Sequence, residues 1–587
     1  MKMKKNKLLA LLLAMVMVFS MLVACGSETA STAEAASAPA EEETVSEAAE
    51  APVQEEAPVE EETPAEEPSA EEPAPVEEPE PQLQVVELPL FEETRTYTMF
   101  NMLPFFMAGL VDDMSTDINT LRLLQEYCNA KIEVQAVSDS VVGEQFNLMC
   151  SSGDFTDIIY GTSNYARGFD AAIEDEIIID LYELAEEYAP NFMYYLETDQ
   201  SVRNELITDN GALPAIATIY KEAGCENGGM LLRGDWLREL GMETPKTLDE
   251  LHDYIQTCMK EYGTQGICIG NAMGDNKADD VLYSYAYDLY AGDYNVIDGE
   301  VVYSYLNDSY YDYISMITEW YADGTIYADF YTAQMGAADK YFAAGQSPMV
   351  TGTAANLATI ESYKDPDYEY EILPIETPKL SADDELHFSW TDTHSRIKQK
   401  DTWAISTACE DPEGIMMMVN YLFSEAGELL FNYGDEGHTF EYDENGKPQY
   451  TEMVTNNPDG LSYMDACYIY VSAAASGHMP GILDLKATYY YFDESQWAVM
   501  DTFKTCEADG TYNLPKGVAL NAEESEEYAA LYSDISTYAS TELMKFVMGQ
   551  AELTEESFQA VQDNIISMGG ERMEELYQAA YERYLQK

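Results

Sequence analysis

The chain has 587 residues, with 109 acidic and 29 basic side chains and a formal charge of −80. This charge excludes a nucleic-acid-binding role, because phosphates require clustered Lys and Arg, and it favours a neutral or cationic ligand over an anionic one. The length is too great for a single hydrophobic core and predicts two or three domains.

The N-terminus carries a secretory signal, predicted over residues 1–24. Four lysines precede an apolar run, Leu8–Val23, which is short for a membrane-spanning helix. Leu22-Val23-Ala24-Cys25 resembles a bacterial lipobox, in which the cysteine becomes the lipid-bearing N-terminal residue. We therefore expect acyl chains such as palmitate on Cys25 to anchor the protein to the extracytoplasmic face of a bacterial cell membrane. A cleaved signal with an unmodified cysteine is the alternative.

Residues 25–94 are nearly all Ala, Glu, Pro, Ser, Thr and Val. Such a segment has little apolar surface to bury and repels itself, so it predicts a disordered, extended tether. A tail that binds a basic partner is the weaker interpretation.

The folded part begins with a βαβα alternation, which is typical of a parallel sheet with helical crossovers. A β-prone run at Tyr97–Phe100 precedes an amphipathic helix over Asn119–Tyr127 and an alternating strand over Ile132–Val137. A second helix over Val142–Ser151 and a strand over Asp157–Tyr160 complete the alternation.

The later chain is richer in helices. Amphipathic spacing predicts helices over Leu181–Tyr188, Leu248–Tyr262 and Tyr311–Ala322, and Thr247 with Glu250 predicts a capping box before the second of these. Asp443-Glu444-Asn445-Gly446-Lys447 predicts a hairpin turn. The last segment, Glu555–Leu585, predicts helices separated at Gly569-Gly570.

Eight cysteines follow Cys25, and none forms a Cys-x-x-Cys pair. We therefore expect most of them to be small buried hydrophobic residues, and their even number permits one or two disulfides.

The five histidines are scattered, and the chain has no His-Glu-x-x-His, Gly-x-Ser-x-Gly or Gly-x-x-x-x-Gly-Lys motif. We therefore expect no catalytic residues, no cofactor and no metal. A glycosidase carboxylate pair cannot be recognised among so many acidic side chains, so a cell-surface hydrolase stays an alternative.

Five segments of the chain are informative together: Phe146–Ile159, Gly229–Thr247, Glu319–Ile326, Phe431–Gly437 and Tyr577–Tyr584. In this order they resemble extracellular solute-binding protein family 1, in its large lipoprotein branch associated with ABC permeases for complex carbohydrates. One departure is Thr156, where the family often has proline.

The resemblance implies an α/β, two-lobe periplasmic-binding-protein-like fold with a hinge and a ligand cleft between the lobes. It predicts crossings near residues 217–228, 384–401 and 464–472. The implied boundaries are an N-lobe from 95–218 and 400–465, a C-lobe from 219–399 and 466–545, and C-terminal helices over 546–587.

Some members of this family carry a calcium loop after the helix that matches Leu248–Tyr262. Calcium requires six to eight closely spaced oxygen ligands. Gly263–Gly270 supplies too few, and the acidic residues at 275–280 are interrupted, so we expect no calcium there.

Loops at the carboxyl ends of strands are the predicted ligand contacts, because open α/β sheets bind at that edge. The 45 tyrosines and 5 tryptophans of the chain supply aromatic faces on which a sugar ring packs, although most must be core or surface residues. A segment at the hinge, 389–396, combines an aromatic ring with polar groups, and each of these loops has an ordinary structural role as its alternative. The predicted ligand-binding residues are Tyr160, Thr162, Asn164, Asp280, Tyr283, Thr353, Asn356, Trp390, Asp392 and Arg396.

Together these features predict a monomeric solute-binding lipoprotein of an ABC importer, which captures an oligosaccharide or similar neutral polar solute and delivers it to the permease subunits. Alternatives are a binding protein or sensor of the same fold for a peptide or other non-sugar ligand, and the cell-surface hydrolase.

Overall fold

The computed structural model describes residues 82–222, 228–269, 281–332, 337–353, 357, 360, 363, 370–388, 395–472, 478–490, 492, 494–504 and 508–587. The strands are β1 (Arg95–Leu103), β2 (Ala130–Ser138), β3 (Ile158–Ile159), β4 (Ile216–Tyr220), β5 (Gly228–Arg233), β6 (Tyr294–Ile297), β7 (Glu300–Tyr303), β8 (Met349–Thr353), β9 (Ile372–Ile375), β10 (Ile397–Ile405), β11 (Phe440–Tyr442), β12 (Pro448–Tyr450) and β13 (Gly481–Leu483).

The α-helices follow the amphipathic segments of the sequence. They are α1 (Met114–Asp117), α2 (Asn119–Cys128), α3 (Val142–Ser152), α4 (Gly168–Glu174), α5 (Tyr182–Tyr188), α6 (Pro190–Thr198), α7 (Gln200–Leu206), α8 (Gly234–Leu240), α9 (Leu248–Tyr262), α10 (Ser309–Ala322), α11 (Ala337–Ala343), α12 (Pro412–Leu422), α13 (Glu425–Tyr433), α14 (Glu452–Thr455), α15 (Tyr463–Tyr470), α16 (Leu485–Thr488), α17 (Glu494–Lys504), α18 (Ala522–Val547), α19 (Glu555–Met568) and α20 (Gly570–Tyr584).

The N-lobe is built on a six-stranded sheet of order β13-β4-β10-β3-β1-β2. β1 is parallel to β2 and β3, β10 is antiparallel to both β3 and β4, and β13 is parallel to β4. Five strands therefore end at the same edge of the sheet, as the βαβα pattern predicts. Met99, Leu121 and Ile158 are fully buried between this sheet and its helices.

The C-lobe has a smaller, antiparallel sheet of order β8-β5-β9 and is mostly helical. Its core joins Leu232 of β5 to Tyr254 of α9 and to one residue from each of the three C-terminal helices, Ile535 of α18, Ile565 of α19 and Met573 of α20. The predicted capping box of α9 is confirmed: Thr247 accepts from the Glu250 amide, and the Glu250 carboxylate accepts from the Thr247 amide. The predicted hairpin is also confirmed, as β11 and β12.

Within the described residues, the chain passes between the sheets of the two lobes between β4 and β5 and between β9 and β10, and it leaves the N-lobe sheet a third time after β13. The third crossing lies later than the sequence predicts. Residues 463–470 form α15 instead, capped by Ser462, with Cys467 buried beside Phe440. β13, which the predicted boundaries place in the C-lobe, pairs with β4 in the N-lobe sheet. The chain reaches the C-lobe at α17, where Phe503 packs with Leu231.

The stretch before β1 also differs from the predicted tether, which extends to residue 94. Asn191 in α6 forms two hydrogen bonds with the backbone of Gln84, of 2.6 and 3.0 Å. Phe91 is buried in the N-lobe core, and the Arg95 guanidinium lies 4.2 Å from the centre of its ring. The apolar side chains of this stretch give it surface to bury, which the Ala-, Glu- and Pro-rich segment before it lacks.

The described cysteines are all free thiols. Burial raises the pKa of Cys128 and of Cys258 to about 12, so both behave as small apolar groups. The free cysteines are Cys128, Cys150, Cys258, Cys268, Cys409 and Cys467, and Cys225 and Cys506 lie outside the described residues.

Candidate ligand-binding cleft

A cavity of about 420 Å³ lies where the N-lobe meets the C-terminal helices of the C-lobe. Its N-lobe wall consists of the chain that follows β3, Ser163–Asp170, and the turn after α7, Leu206–Asp209. The C-lobe wall comes from α18 and α20. We call this cavity the tyrosine pocket, because its aromatic rings are those of Tyr165, Phe169, Tyr528, Tyr532 and Tyr577.

Helical spacing sets the arrangement of the C-lobe rings. Tyr528 and Tyr532 are four residues apart on α18, so they share one face, and their rings stack at 5.2 Å with planes 23° apart. Tyr577 of α20 meets Tyr528 edge to face. All three side chains are half-buried. They present flat apolar faces with hydroxyl groups at the edge, the combination that packs on a sugar ring while bonding its hydroxyls.

The predicted loop after β3 reaches this region. Tyr160 and Thr162 are buried, and the Thr162 hydroxyl has no hydrogen-bond partner within the described part of the chain. Asn164 is exposed, and its side-chain amide donates to the Gly161 carbonyl over 2.8 Å. Its neighbours Ser163 and Tyr165, rather than the predicted residues, line the pocket.

Arg396 lies at the crossing into β10 and has partners within the N-lobe. Its Nη1 lies 2.5 Å from Asp199 Oδ2, and its Nε donates to the Tyr220 carbonyl over 2.8 Å. Its backbone amide donates a hydrogen bond to the Glu205 carboxylate. Burial raises the pKa of Glu205, although the hydrogen bonds of this carboxylate act in the opposite direction. These contacts tie the crossing strands together, and a direct role of Arg396 in ligand binding stays a prediction.

Two of the other predicted ligand residues lie in parts of the chain that the structure describes. Thr353 is the last residue of β8, and Tyr283 lies in a 3-10 segment, Val281–Tyr287. Asp280, Asn356, Trp390 and Asp392 lie outside the described residues, so their assignment stays a prediction.

Sequence reasoning missed the C-lobe half of the pocket. The signal was present as Tyr528 and Tyr532 on one face of a helix, but the same pattern also describes a core-facing stripe. A further aromatic pair, Phe106 after β1 and Tyr468 of α15, was also missed. Their ring centroids are 4.5 Å apart, and Phe106 is 37% exposed near the carboxyl edge of the N-lobe sheet.

The charges at the base of the pocket neutralise one another. Asp209 accepts from Arg583 Nε at 2.6 Å and lies 2.8 Å from Lys587 Nζ. Burial opposes ionisation of Asp209, but the hydrogen bonds and charges of these two residues outweigh it and lower its pKa. The pocket therefore offers a ligand aromatic faces and hydroxyl groups, together with the carboxylate of Asp170 on its lining.

Residues 122–429, more than half of the chain, match the family of bacterial extracellular solute-binding proteins. The chain belongs to that family. This solute-binding protein is 22% identical to lipoprotein LipO of Bacillus subtilis over 256 residues. That alignment covers 41% of this chain and 48% of LipO, so the chain matches about half the length of this relative.

Two similar solved structures show the fold of this solute-binding protein. The alginate-binding protein AlgQ2, solved without calcium, aligns with a TM-score of 0.67 and 19% identity, covering 84% of this chain and 99% of AlgQ2. FusA of Streptococcus pneumoniae, an ABC-transporter substrate-binding protein in complex with kestose, aligns with a TM-score of 0.65 and 17% identity over the same shares. The predicted α/β two-lobe fold is therefore confirmed.

No group of three or more His, Cys, Asp or Glu side chains in the described residues is arranged to hold a metal ion. The loop that would carry calcium in some family members continues into residues 270–280, which lie outside the described set.

None of the described helices has the length and apolarity needed to cross a bilayer.

Proposed function

We propose that this protein captures an oligosaccharide, or a similar neutral polar solute, outside the cell and delivers it to the permease of an ABC importer. The tyrosine pocket is the observation that carries the proposal. Its volume of about 420 Å³ is within the range of small-molecule sites, and aromatic side chains from both lobes surround it. A ligand held between two lobes favours their closure, which is the signal that a permease can recognise.

The preference for a neutral over an acidic ligand follows from the charges of the pocket, whose lining includes the carboxylates of Asp170 and Asp209. The ammonium group on its lining belongs to Lys587, and that group is bound to Asp209 and to the Ile207 carbonyl. An acidic sugar would have to displace Asp209 from this cation. A neutral sugar needs only ring faces and hydrogen bonds, which the tyrosines and Ser163, Ser525 and Ser533 supply.

The relatives support a saccharide ligand, because AlgQ2 is an alginate-binding protein and FusA was solved with kestose. LipO is a lipoprotein, in agreement with the proposal that Cys25 is lipidated and holds the protein at the membrane. The proposal assigns the protein binding without catalysis. It retains as ligand contacts Tyr160, Thr162, Asn164, Asp280, Tyr283, Thr353, Asn356, Trp390, Asp392 and Arg396.

A ligand screen tests this function. The chain from residue 26 is mixed with neutral oligosaccharides, uronic-acid oligosaccharides and short peptides, and its melting temperature is recorded. A ligand at 100 times its Kd adds about 2.7 kcal/mol of stability, which produces a clear shift. We expect the neutral oligosaccharides to give the largest shifts, with the sugar recovered intact. Shifts confined to peptides or to uronic acids, or recovery of cleaved sugar, would contradict the proposal.

A further inference from the structure

Arg583, in the last turn of α20, binds carboxylates from both lobes at once. Its Nε donates to Asp209 Oδ2 in the N-lobe over 2.6 Å. Its Nη1 and Nη2 donate to Glu524 Oε1 and Oε2 over 2.8 and 2.6 Å, and Glu524 lies in the first turn of α18. The side chains of Asp209 and Glu524 are each 15% exposed, so solvent screens these bonds only weakly.

The two carboxylates belong to opposite walls of the tyrosine pocket. Asp209 lines it directly, and Glu524 precedes Ser525 and Tyr528 on the helix that forms the C-lobe wall. The planar guanidinium has five donors in a fixed geometry, so it sets the separation of two carboxylates more rigidly than a lysine would. Arg583 therefore links the N-lobe turn to the first turn of α18.

Other contacts join the same walls. Lys587 Nζ, after α20, lies 2.8 Å from Asp209 and donates to the Ile207 carbonyl over 3.2 Å. The Arg167 side chain after β3 lies 3.9 Å from Glu526 of α18. Gly168 has a φ of +80°, and a Cβ at this position would lie 3.2 Å from the Ser525 hydroxyl. The two walls are therefore in contact beside the pocket, where the Arg583 bridge lies.

We propose that Arg583 is a positioning residue for ligand binding: its bridge from Asp209 to Glu524 holds the two walls at the separation at which both can contact one ligand. This inference rests on the proposed function, because it assigns the ligand to the tyrosine pocket. Interactions that fix a binding site before the ligand arrives lower the cost of ordering it on binding. Charge-assisted hydrogen bonds are strong enough for this role.

Asp209→Asn tests the inference, because it weakens the N-lobe arm of the bridge and leaves the Arg583–Glu524 pair intact. Glu527→Gln is the matched control. Glu527 of α18 forms a two-bonded ion pair with Arg572 of α20, at 2.8 and 2.9 Å, which joins the same two helices without touching the N-lobe. Two measurements are made: the radius of gyration of the unliganded protein by small-angle scattering, and the affinity for the best oligosaccharide of the screen by calorimetry.

For Asp209→Asn we expect a larger unliganded radius of gyration and an affinity about tenfold weaker, a typical size for coupling between sites. Glu527→Gln should match the wild type in both measurements. Arg583→Gln should reproduce the Asp209→Asn effect. Because Asp209 also binds Lys587, Arg583→Gln, which leaves that pair intact, assigns the effect to the guanidinium bridge.

Two results would overturn the inference. One is equal behaviour of Asp209→Asn and Glu527→Gln; the other is a loss of affinity without any change in scattering, which would mean that Asp209 contacts the ligand directly. If the screen yields no ligand, the proposed function fails, while the scattering comparison still decides whether the bridge holds the lobes.

Discussion

Tyr528 of α18 meets Tyr577 of α20 edge to face, with ring centroids 5.2 Å apart and planes at 82°. Tyr577 in turn packs on the buried ring of Tyr294, at 4.2 Å between centroids. The half-exposed ring of Tyr528 therefore rests on rings that are fixed by the C-lobe core, and its orientation is set before any ligand binds.

The first prediction follows from this support. Tyr528→Ala should weaken binding of the oligosaccharide by roughly 2 kcal/mol, because it removes an aromatic anchor from the pocket. Tyr528→Phe should retain most of the affinity if the ring face carries the contact. Titration calorimetry measures both.

Tyr538→Ala is the control for the Tyr528 variants. Tyr538 lies on the same helix, but its hydroxyl accepts a hydrogen bond from Asn564 of α19, away from the pocket. Equal losses of affinity for Tyr528→Ala and Tyr538→Ala would show that the helix as a whole, and not its pocket face, affects binding.

The second prediction separates two residues of the predicted hinge segment. Trp390→Ala should weaken ligand binding by roughly 2 kcal/mol and leave the unliganded melting temperature nearly unchanged. Arg396→Ala should lower the unliganded melting temperature, because it removes one hydrogen-bond donor from Asp199 Oδ2 and one from the Tyr220 carbonyl. Differential scanning calorimetry without ligand distinguishes these effects. A large loss of melting temperature in Trp390→Ala would assign that residue a structural role.

Local features of this fold were predictable from the sequence, whereas the assembly of the pocket was not. The bounds of α9 follow from the spacing of its apolar residues and from Thr247 and Glu250, all within a few turns of chain. Tyr165 and Tyr528 line the same pocket although they are hundreds of residues apart in sequence. Their proximity depends on how the two lobes pack. The family resemblance supplied the two-lobe fold and a cleft, but not the residues on its C-lobe wall.

The residues just before β1, which pack against the N-lobe, are a second feature that local sequence did not predict. Composition distinguishes the Ala-, Glu- and Pro-rich segment from the residues after it, but it does not mark where the chain first contacts the N-lobe. That contact depends on Asn191, whose side chain binds the Gln84 backbone across a long separation in sequence. The available signal was the apolar run that ends in an aromatic residue, Leu88-Pro89-Leu90-Phe91, which the segment before it lacks.

The third prediction concerns the membrane anchor. When the full chain is expressed in a bacterium, it should partition into the detergent phase, because acyl chains on Cys25 each contribute roughly 0.8 kcal/mol per buried methylene. Cys25→Ser should move the protein to the aqueous phase. Detergent partitioning followed by immunoblotting measures this, and a Cys25→Ser protein that stays in the detergent phase would disprove lipidation at this residue.

The last prediction concerns His478, which is buried in the N-lobe beside β10. Its Nε2 lies 2.8 Å from the Ser472 hydroxyl, and its carbonyl accepts from the indole of Trp403 over 3.2 Å. Burial lowers the pKa of His478 to about 4, because the imidazolium form would have to give up its hydration. The ring is therefore neutral in the folded protein near neutral pH.

The sign of its pH dependence follows from this lowered pKa. As the pH falls below the ordinary histidine value of about 6.5, the unfolded chain binds a proton that the folded protein does not, so folding stability decreases until about pH 4. The loss amounts to roughly 3 kcal/mol at a pH below both values. His478→Gln removes this titration. Its destabilisation should therefore be largest near pH 7 and should shrink as the pH falls toward 4.

Urea denaturation of the wild type and of His478→Gln between pH 4 and pH 7 measures this difference, with Ser472→Ala as the control. Ser472→Ala removes the hydroxyl partner but retains the buried imidazole, so its stability should keep the wild-type slope with pH. The comparison isolates the titration of His478. The many carboxylates of this chain, whose formal charge is −80, contribute equally to both proteins. A destabilisation by His478→Gln that is the same at pH 4 and pH 7 would show that His478 is not held neutral by burial.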